Sequence, residues 1–285
     1  MIKKTININS ILKAFCILIS LSLFQFSYEK CYAKINIREH IVSYFIFSPE
    51  NELKETPSDY GLQFEEVFIN LPNEKQLYGW YIFADKPTDK NIIYLHGVKG
   101  NISSYLDGIK KLHKTGANIL LVDYEGFGKS TGHGIVSNSI NDSLAMYDFL
   151  IQDKKVKAEN ISLYGFSYGG AIALEVALKR KVHAILLEAT FSSFKEIAIA
   201  KCSRFILPLV PRNLLNSKEN IKKINVPIVI AYAQKDRLIK DINSKKLHGI
   251  ANAPKYLYEI KYAGHYDISH FVTNEYLELI KKVLT

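Results

Sequence analysis

The sequence predicts an α/β fold in which helices cover both faces of a mostly parallel, eight-stranded sheet. Two observations predict it. From about residue 65 onward, short apolar runs rich in β-branched residues alternate with longer amphipathic segments of helical periodicity. Glycine-containing polar motifs follow several of the apolar runs, as expected where parallel strands end at a ligand-binding edge. A chain of 285 residues is long enough for one such domain.

The individual elements follow in a regular order. Residues 65–70 and 76–85, joined by a polar turn, predict an antiparallel hairpin at an edge of the sheet. Six later strands are predicted at residues 91–97, 118–124, 161–167, 182–190, 227–234 and 255–262. Helical patterns separate most of these strands, and another at residues 271–284 closes the domain, which we place at residues 34–285.

One interval departs from this alternation. Between Thr190 and Pro227 the chain carries no strand pattern, but apolar residues recur along its first part. We interpret residues 191–215 as a small lid insertion that covers a site at the carboxyl edge of the sheet.

The first 33 residues differ in kind from the rest. Three lysines precede an uncharged, largely apolar run over residues 14–28. As a helix this run would be about 22 Å long, shorter than the roughly 30 Å hydrocarbon core of a bilayer. The pattern predicts a signal peptide cleaved after Ala33 or a retained membrane anchor, and a buried helix is the remaining interpretation. The first two make the protein exported (periplasmic or secreted) or membrane-anchored.

The net charge of +9 suggests an anionic partner, but the distribution of charge argues against nucleic acid. Four lysines and one glutamate fall in the first 33 residues, and the other basic residues are dispersed without a long basic block. We therefore expect a basic solvated surface and no nucleic-acid partner. Any membrane association is expected to come through the N-terminus.

Cofactor chemistry is not predicted either. The sequence lacks a phosphate-binding P-loop, a dinucleotide-binding glycine motif after the first strand, and a cluster with zinc-ligand spacing. We expect no cofactor and no metal. The three cysteines give no disulfide framework, and Cys202 is expected to serve in packing.

A glycine-flanked serine lies where a strand pattern meets a helical pattern. The segment GFSYG at residues 165–169 is a G-x-S-x-G nucleophile elbow, a sharp turn that lifts the serine hydroxyl clear of the sheet. The glycines two residues before and after Ser167 leave room for this turn, and Gly170 lets the next helix pack closely on the sheet. Ser167 is the predicted nucleophile, and the alternative is a glycine-rich turn with an incidental serine.

Two further segments, taken with the elbow, resemble the α/β-hydrolase superfamily. HGVKGN at residues 96–101 follows the third predicted strand, and LVDYEGFGKS at residues 121–130 spans the end of the fourth. The resemblance covers about residues 60–285. It is closest to the single-domain, small-lid serine hydrolases, the esterase, lipase and thioesterase branch that includes exported and membrane-tethered members.

This resemblance also implies roles for individual residues. The oxyanion hole of the family would be formed here by the backbone N–H groups of Val98 and Tyr168. In the same family, the histidine at the position of His96 and the aspartate at the position of Asp123 usually shape the loops beside the site. We therefore expect structural roles for these two side chains.

The remaining members of a catalytic triad are expected in the order serine, acid, histidine along the chain. His265 follows the last predicted strand, where the family has its general base. Asp236 follows the strand at residues 227–234 and matches the acid position of the family, with Glu188 as the main alternative. We expect Asp267, two residues after the histidine, to cap the final helix.

Together these residues predict a serine hydrolase. Ser167, His265 and Asp236 would cleave a carboxylic ester or thioester through an acyl-serine intermediate. The apolar lid segment and the N-terminal pattern favour a small-molecule or lipid-like substrate with an acyl chain. Two alternatives remain, a serine peptidase of the same fold and a catalytically silent binding protein of the α/β-hydrolase fold. The sequence does not predict the oligomeric state.

Overall fold

The computed structural model describes residues 37–202, 204–211, 214–252 and 254–285. The predicted signal peptide or anchor at residues 1–33 lies outside these ranges. The strands in the described ranges are β1 (Ser48–Pro49), β2 (Phe64–Leu71), β3 (Lys75–Ile82), β4 (Asn91–Leu95), β5 (Lys99–Gly100), β6 (Asn118–Val122), β7 (Ile161–Phe166), β8 (Ile185–Glu188), β9 (Ile228–Ala233) and β10 (Lys255–Ile260).

Eight of these strands form one central sheet in the order β10-β9-β8-β7-β4-β6-β3-β2. The pairs from β10 to β6 are all parallel, whereas β3 pairs antiparallel with both β6 and β2. Strands β4, β7, β8 and β9 are buried along their whole length, which explains why they read as continuous apolar runs. The predicted mostly parallel sheet with an antiparallel edge hairpin is confirmed.

Helices cover this sheet on both sides. The α-helices of the described ranges are α1 (Ile37–Ile46), α2 (Leu106–His113), α3 (Val136–Gln152), α4 (Tyr168–Ala177), α5 (Phe194–Cys202), α6 (Ser217–Asn220), α7 (Asp241–Ile250) and α8 (Asn274–Val283). Helices α1, α3, α4, α5 and α7 contribute buried side chains to the core on one face. Helices α2 and α8 contribute to the core on the other face.

The predicted strands are longer than the observed ones mainly at their ends. The predicted strand at residues 182–190 is observed only at Ile185–Glu188. Val182 and Ala189 on either side are buried, with 5% and 1% of their surface exposed. Apolar character here reflects burial of the connecting turns rather than strand pairing.

The N-terminal part of the described chain, which carried no clear sequence pattern, packs on the domain. Helix α1 lies against α5 and leads into β1, which pairs in parallel with β5 through Ser48↔Lys99 and Pro49↔Gly100. This two-residue ladder attaches the segment before residue 50 to the loop that follows β4. The contact matters for the site described below.

The segment predicted as a lid contains α5 and a short 3₁₀ helix at Arg204–Leu209. Phe191, Phe194 and Ile197 are buried, whereas Phe205 is 94% exposed. The lid function of this segment stays a prediction. A helix long and apolar enough to span a membrane does not occur within the described residues.

Candidate active site

Ser167 lies at the sharp turn between β7 and α4. Its backbone has φ 54° and ψ −111°, a conformation that residues with a side chain rarely adopt. The Ser167 N–H donates to the carbonyl oxygen of Glu188 at the end of β8, at 2.7 Å, and this bond holds the turn on the sheet. Strain of this kind, kept in place by its surroundings, is typical of functional positions.

Two glycines make the turn sterically possible. A Cβ atom on Gly165 would lie 2.3 Å from the Cα of Gly170. A Cβ atom on Gly169 would lie 1.9 Å from the carbonyl oxygen of Leu95 in β4. Both distances are well inside van der Waals contact, so the strand, the turn and the helix can pack this closely only without side chains at these positions.

The imidazole of His265 meets the serine hydroxyl. His265 lies on the loop after β10, and its Nε2 is 3.0 Å from Ser167 Oγ. Its Nδ1 is 2.6 Å from Oδ2 of Asp236. Because a carboxylate can only accept, Nδ1 carries the proton, which leaves Nε2 free to accept from the hydroxyl of Ser167.

Asp236 is fixed by the backbone of its own loop, which follows β9. Its second oxygen, Oδ1, accepts from the N–H groups of Leu238 and Ile239 at 2.8 and 2.7 Å. The side chain of Asp236 is fully buried, so its carboxylate meets the histidine away from solvent. The adjacent Lys235 N–H donates to the carbonyl of Ala263 at 2.7 Å, and this bond ties the acid loop to the histidine loop.

The residues predicted as oxyanion donors lie beside the serine. Val98 and Tyr168 line the same cavity as Ser167. Tyr168 is the first residue of α4, and the first N–H groups of a helix have no acceptor within the helix. The Val98 N–H likewise has no hydrogen-bond partner in the described part of the chain. These two N–H groups are available to a negatively charged oxygen.

The β4–β5 loop that carries Val98 is held from two sides. From upstream, the Ser48 N–H of β1 donates to the Val98 carbonyl at 2.8 Å. From within the loop, the Tyr105 hydroxyl donates to the carbonyl of Lys99 at 2.9 Å. Neither support was found in the sequence, because a two-residue strand has no periodicity and a tyrosine contact with the backbone leaves no motif.

His96 and Asp123 lie buried behind this loop. His96 Nδ1 donates to the carbonyl of Gly97 at 2.7 Å, and its Nε2 is 3.5 Å from Oδ1 of Asp123. Burial lowers the pKa of His96 to about 4 and raises that of Asp123 well above its usual range. Both groups are therefore stable in their uncharged forms. They shape the loop and lie outside the cavity that contains Ser167.

A cavity of about 330 Å³ extends from the serine between the sheet and helix α8. Ile197 of α5 and two residues of α8, Leu277 and Ile280, line this cavity. The lining combines aliphatic and tyrosine side chains with lysines, serines and two glutamates. The volume and character of the cavity suit a short apolar chain attached to a reactive carbonyl group.

Glu188, the alternative acid, also lines this cavity but does not contact His265. Its carboxylate accepts from the Tyr164 hydroxyl at 2.5 Å. Its backbone, by contrast, supports the elbow through the carbonyl group described above. The structure therefore brings Ser167, His265 and Asp236 together and leaves Glu188 outside the hydrogen-bonded chain.

The expectation for Asp267 was wrong. Asp267 precedes the 3₁₀ helix at Ile268–Phe271, and its carboxylate accepts from the Gly264 N–H at 2.6 Å. The final helix α8 is capped by Thr273, whose hydroxyl accepts from the N–H of Tyr276. The extra 3₁₀ turn, which shows no sequence periodicity, separates Asp267 from the start of the helix.

Comparisons with known proteins agree with this geometry. Residues 86–218 match the Hydrolase_4 family, described as serine aminopeptidase, S33. The protein YfhR of Escherichia coli (strain K12) is 27% identical over 213 residues, which cover 71% of this chain and 74% of YfhR.

Two solved structures are similar over most of the fold. The esterase Pf2001 of Pyrococcus furiosus superimposes with a TM-score of 0.68 at 22% identity, covering 83% of this chain and 98% of the esterase. An α/β hydrolase from Vibrio vulnificus gives a TM-score of 0.68 at 18% identity, covering 89% of this chain and 95% of that one.

Proposed function

We propose that this chain is a hydrolase of the α/β-hydrolase superfamily that cleaves carboxylic ester or thioester bonds through an acyl-serine intermediate. The observation that carries the proposal is the continuous hydrogen-bonded chain from Ser167 through His265 to Asp236. This arrangement can remove a proton from a hydroxyl group that is otherwise a weak nucleophile.

In the first half of the reaction, Ser167 Oγ attacks the substrate carbonyl carbon and its proton passes to Nε2 of His265. The carbonyl oxygen becomes negatively charged and is held by the N–H groups of Val98 and Tyr168. One such donor is typically worth about 3–4 kcal/mol of transition-state stabilisation. Asp236 stays ionised and stabilises the positive imidazolium.

The intermediate then collapses as the carbon–oxygen or carbon–sulfur bond to the leaving group breaks. The leaving alkoxide or thiolate takes the proton from Nε2 of His265, and the acyl group stays on Ser167. Water enters, gives its proton to His265 and attacks the acyl carbon. Breakdown of the second tetrahedral intermediate returns the proton to Ser167 Oγ and releases the carboxylic acid.

The cavity supports an acyl-chain substrate. It begins at Ser167 and is walled by apolar side chains of α5 and α8, including Ile197 and Leu277. Each buried methylene group of a substrate chain contributes about 0.8 kcal/mol. An acyl chain of several carbons would therefore bind here more strongly than an acetyl group.

A serine peptidase is the second candidate, favoured by the description of the matching family. An aminopeptidase must bind a positively charged amino terminus. Lysines 54, 99 and 111 line the cavity. Of the two acids in the lining, Glu50 is paired with Lys54 at 2.8 Å and Glu188 accepts from Tyr164. This basic rim disfavours a cationic substrate, so we rank ester or thioester cleavage first.

The proposal is tested by covalent labelling. The protein should react with a fluorophosphonate probe and hydrolyse nitrophenyl esters, and Ser167→Ala should remove labelling and lower hydrolysis by roughly 10⁴-fold or more. The matched control is Ser162→Ala, which changes a buried serine in the same strand away from the elbow. Ser162→Ala should keep both labelling and hydrolysis, and labelling that survives Ser167→Ala would reject the assignment.

A further inference from the structure

The cavity that contains the serine has a polar floor. Glu188, at the end of β8, and Tyr164, in β7, meet there through a 2.5 Å hydrogen bond, and both line the cavity. Glu188 is 4% exposed and Tyr164 is 5% exposed. A carboxyl group and a hydroxyl group are thus held inside the cavity, in a space that aliphatic and tyrosine side chains also line.

The surrounding tyrosines keep this pair rigid. The ring of Tyr94 stacks on the ring of Tyr164 with 5.0 Å between centroids. Tyr276 of α8 lies on the other side and is 1% exposed. Stacked and buried rings have few alternative rotamers, so the hydroxyl of Tyr164 and the carboxyl of Glu188 stay in fixed positions.

One half of the carboxyl group is still available. The Tyr164 hydroxyl donates to Oε2 of Glu188, whereas Oε1 has no hydrogen-bond partner within the described residues. This oxygen can therefore accept a hydrogen bond from a group that enters the cavity. The triad does not use this oxygen, because Nδ1 of His265 is bonded to Asp236.

The position of this acceptor is set by the sheet. Glu188 is the parallel partner of Phe166, the residue just before the nucleophile, and side chains of paired residues project from the same face. The carboxyl group therefore lies one strand away from the elbow, along the path that leads from Ser167 into the cavity.

We propose that Glu188, oriented by Tyr164, is a specificity-determining residue that accepts a hydrogen bond from an uncharged hydroxyl group on the acyl chain of the substrate. The inference rests on the proposed function, since it assigns the acyl chain to this cavity. It names the substrate class more narrowly, as esters or thioesters of hydroxy acids rather than of plain fatty acids.

An uncharged donor fits this cavity better than an ammonium group. A cationic chain would have to pass the lysines of the rim, and Lys54 is the one among them that is paired with a carboxylate. Burial also raises the pKa of Glu188 to about 7, so near neutral pH this carboxyl group compensates a buried cation only in part, while its ionised fraction can accept a hydrogen bond from an uncharged donor. The tyrosines at positions 94, 164 and 276 are the titratable groups that surround it.

The test compares three nitrophenyl ester series of equal acyl length, which carry a terminal methyl, hydroxyl or ammonium group. Chain lengths from butanoyl to decanoyl sample the depth of the cavity. For at least one length, the protein should prefer the hydroxyl ester over the methyl ester by about tenfold in kcat/KM, as one hydrogen bond to a buried acceptor allows.

Two variants and a control locate the effect. Glu188→Leu should reduce the hydroxyl-to-methyl ratio to about one, and Tyr164→Phe should lower it in part because the carboxyl group loses its orienting partner. If Glu188→Leu does not fold, Tyr164→Phe still tests the subsite. Glu50→Gln removes a carboxylate at the rim instead and should keep the hydroxyl preference.

The outcomes separate this inference from the proposed function. If wild-type protein labels with fluorophosphonate but shows no hydroxyl preference at any length, or prefers the ammonium series, the subsite is rejected and the serine hydrolase stands. If wild-type protein neither labels nor hydrolyses any ester, both the proposed function and the Glu188 subsite are rejected. A hydroxyl preference that persists in Glu188→Leu while that variant still labels also rejects the subsite.

Discussion

At the scale of single residues, two buried carboxyl groups lie close to the nucleophile and differ in their partners. Asp236 accepts from two backbone N–H groups and from the imidazole of His265. Glu188 accepts from one tyrosine hydroxyl. Asp236 is thus held by its own loop in contact with the imidazole, whereas Glu188 makes no hydrogen bond to His265, so Asp236 is the better candidate for the acid of the triad.

This difference predicts the ranking of two matched amide variants. Asp236→Asn should lower kcat for nitrophenyl acetate by about 10⁴-fold, because an amide at this position no longer enforces the tautomer of His265 in which Nε2 is the acceptor. Glu188→Gln should lower it far less, since acetate does not reach the cavity floor. Steady-state kinetics of both purified variants decide the matter, and the reverse ranking would make Glu188 the acid.

The sequence was informative about these residues for a physical reason. Ser167 was predicted from the elbow motif, and Asp236 and His265 were predicted from their positions after strands together with the resemblance to the α/β-hydrolase superfamily. Their catalytic roles stay predictions that the kinetic experiments address. The contact between Glu188 and Tyr164 could not be predicted, because it depends on the register of β7 against β8.

At the scale of elements, helix α5 presents two isoleucines to different surroundings. Ile197 is 1% exposed and lines the cavity, whereas Ile199 is 37% exposed on the opposite side of the helix. The two positions are chemically identical and two residues apart. They therefore form a matched pair for asking whether the predicted lid contributes to substrate binding.

Ile197→Ala should raise KM for a decanoyl nitrophenyl ester several-fold with little change for the acetyl ester, because the removed methyl and methylene groups contact only the longer chain. It should also cost about 2–4 kcal/mol of unfolding free energy. Ile199→Ala should change neither KM, and stability by no more than about 0.5 kcal/mol. Equal effects of the two variants on the decanoyl ester would contradict a lid in contact with substrate.

Elements with a strong period were predicted well, and short ones were not. The buried strands and the amphipathic helices α2 and α8 were recognisable because burial imposes a regular pattern over many residues. The β1–β5 ladder has two residues per strand, too few to show a period. The ladder depends on how the chain before residue 50 packs on the loop after β4, and this packing leaves no sequence pattern.

At the scale of the whole molecule, buried acids make folding depend on pH. Burial raises the pKa of Glu188 to about 7 and that of Asp142 to about 8. In the unfolded chain these groups lose their protons at lower pH. For each group, the folded state binds more protons than the unfolded state between the pKa of the unfolded chain and the higher pKa of the folded protein. The free energy of unfolding therefore decreases as pH rises through that interval.

Replacing Glu188 should flatten this dependence. In wild-type protein the free energy of unfolding should fall between pH 5 and pH 8, and in Glu188→Gln the fall should be smaller, by on the order of 3 kcal/mol at most. Urea unfolding at both pH values measures the change. Glu50→Gln, which removes an exposed carboxylate, should parallel the wild type. A Glu188→Gln profile that also parallels the wild type would show that Glu188 ionises normally.

The N-terminal pattern makes a separate prediction about the full chain. Produced with residues 1–33 in a bacterial host, the protein should leave the cytoplasm and be recovered in the periplasmic or membrane fraction. A chain that lacks these residues should stay in the cytoplasm. An intact mass that begins at residue 34 would indicate cleavage, and recovery of both forms in the same fraction would reject the export hypothesis.

The hydrogen bond from Ser48 to Val98 bears on how short a fragment of this chain could keep full activity. The recognisable motifs begin near residue 60, yet one donor of the oxyanion hole lies on a loop that is braced by backbone upstream of that point. A fragment that begins near residue 60 would keep Ser167, His265 and Asp236. It would lose the hydrogen bond from Ser48 that holds the loop of Val98. We expect such a fragment to keep the proposed nucleophile and lose part of its rate, because Ser48 in residues 37–49 holds the loop of the proposed oxyanion donor.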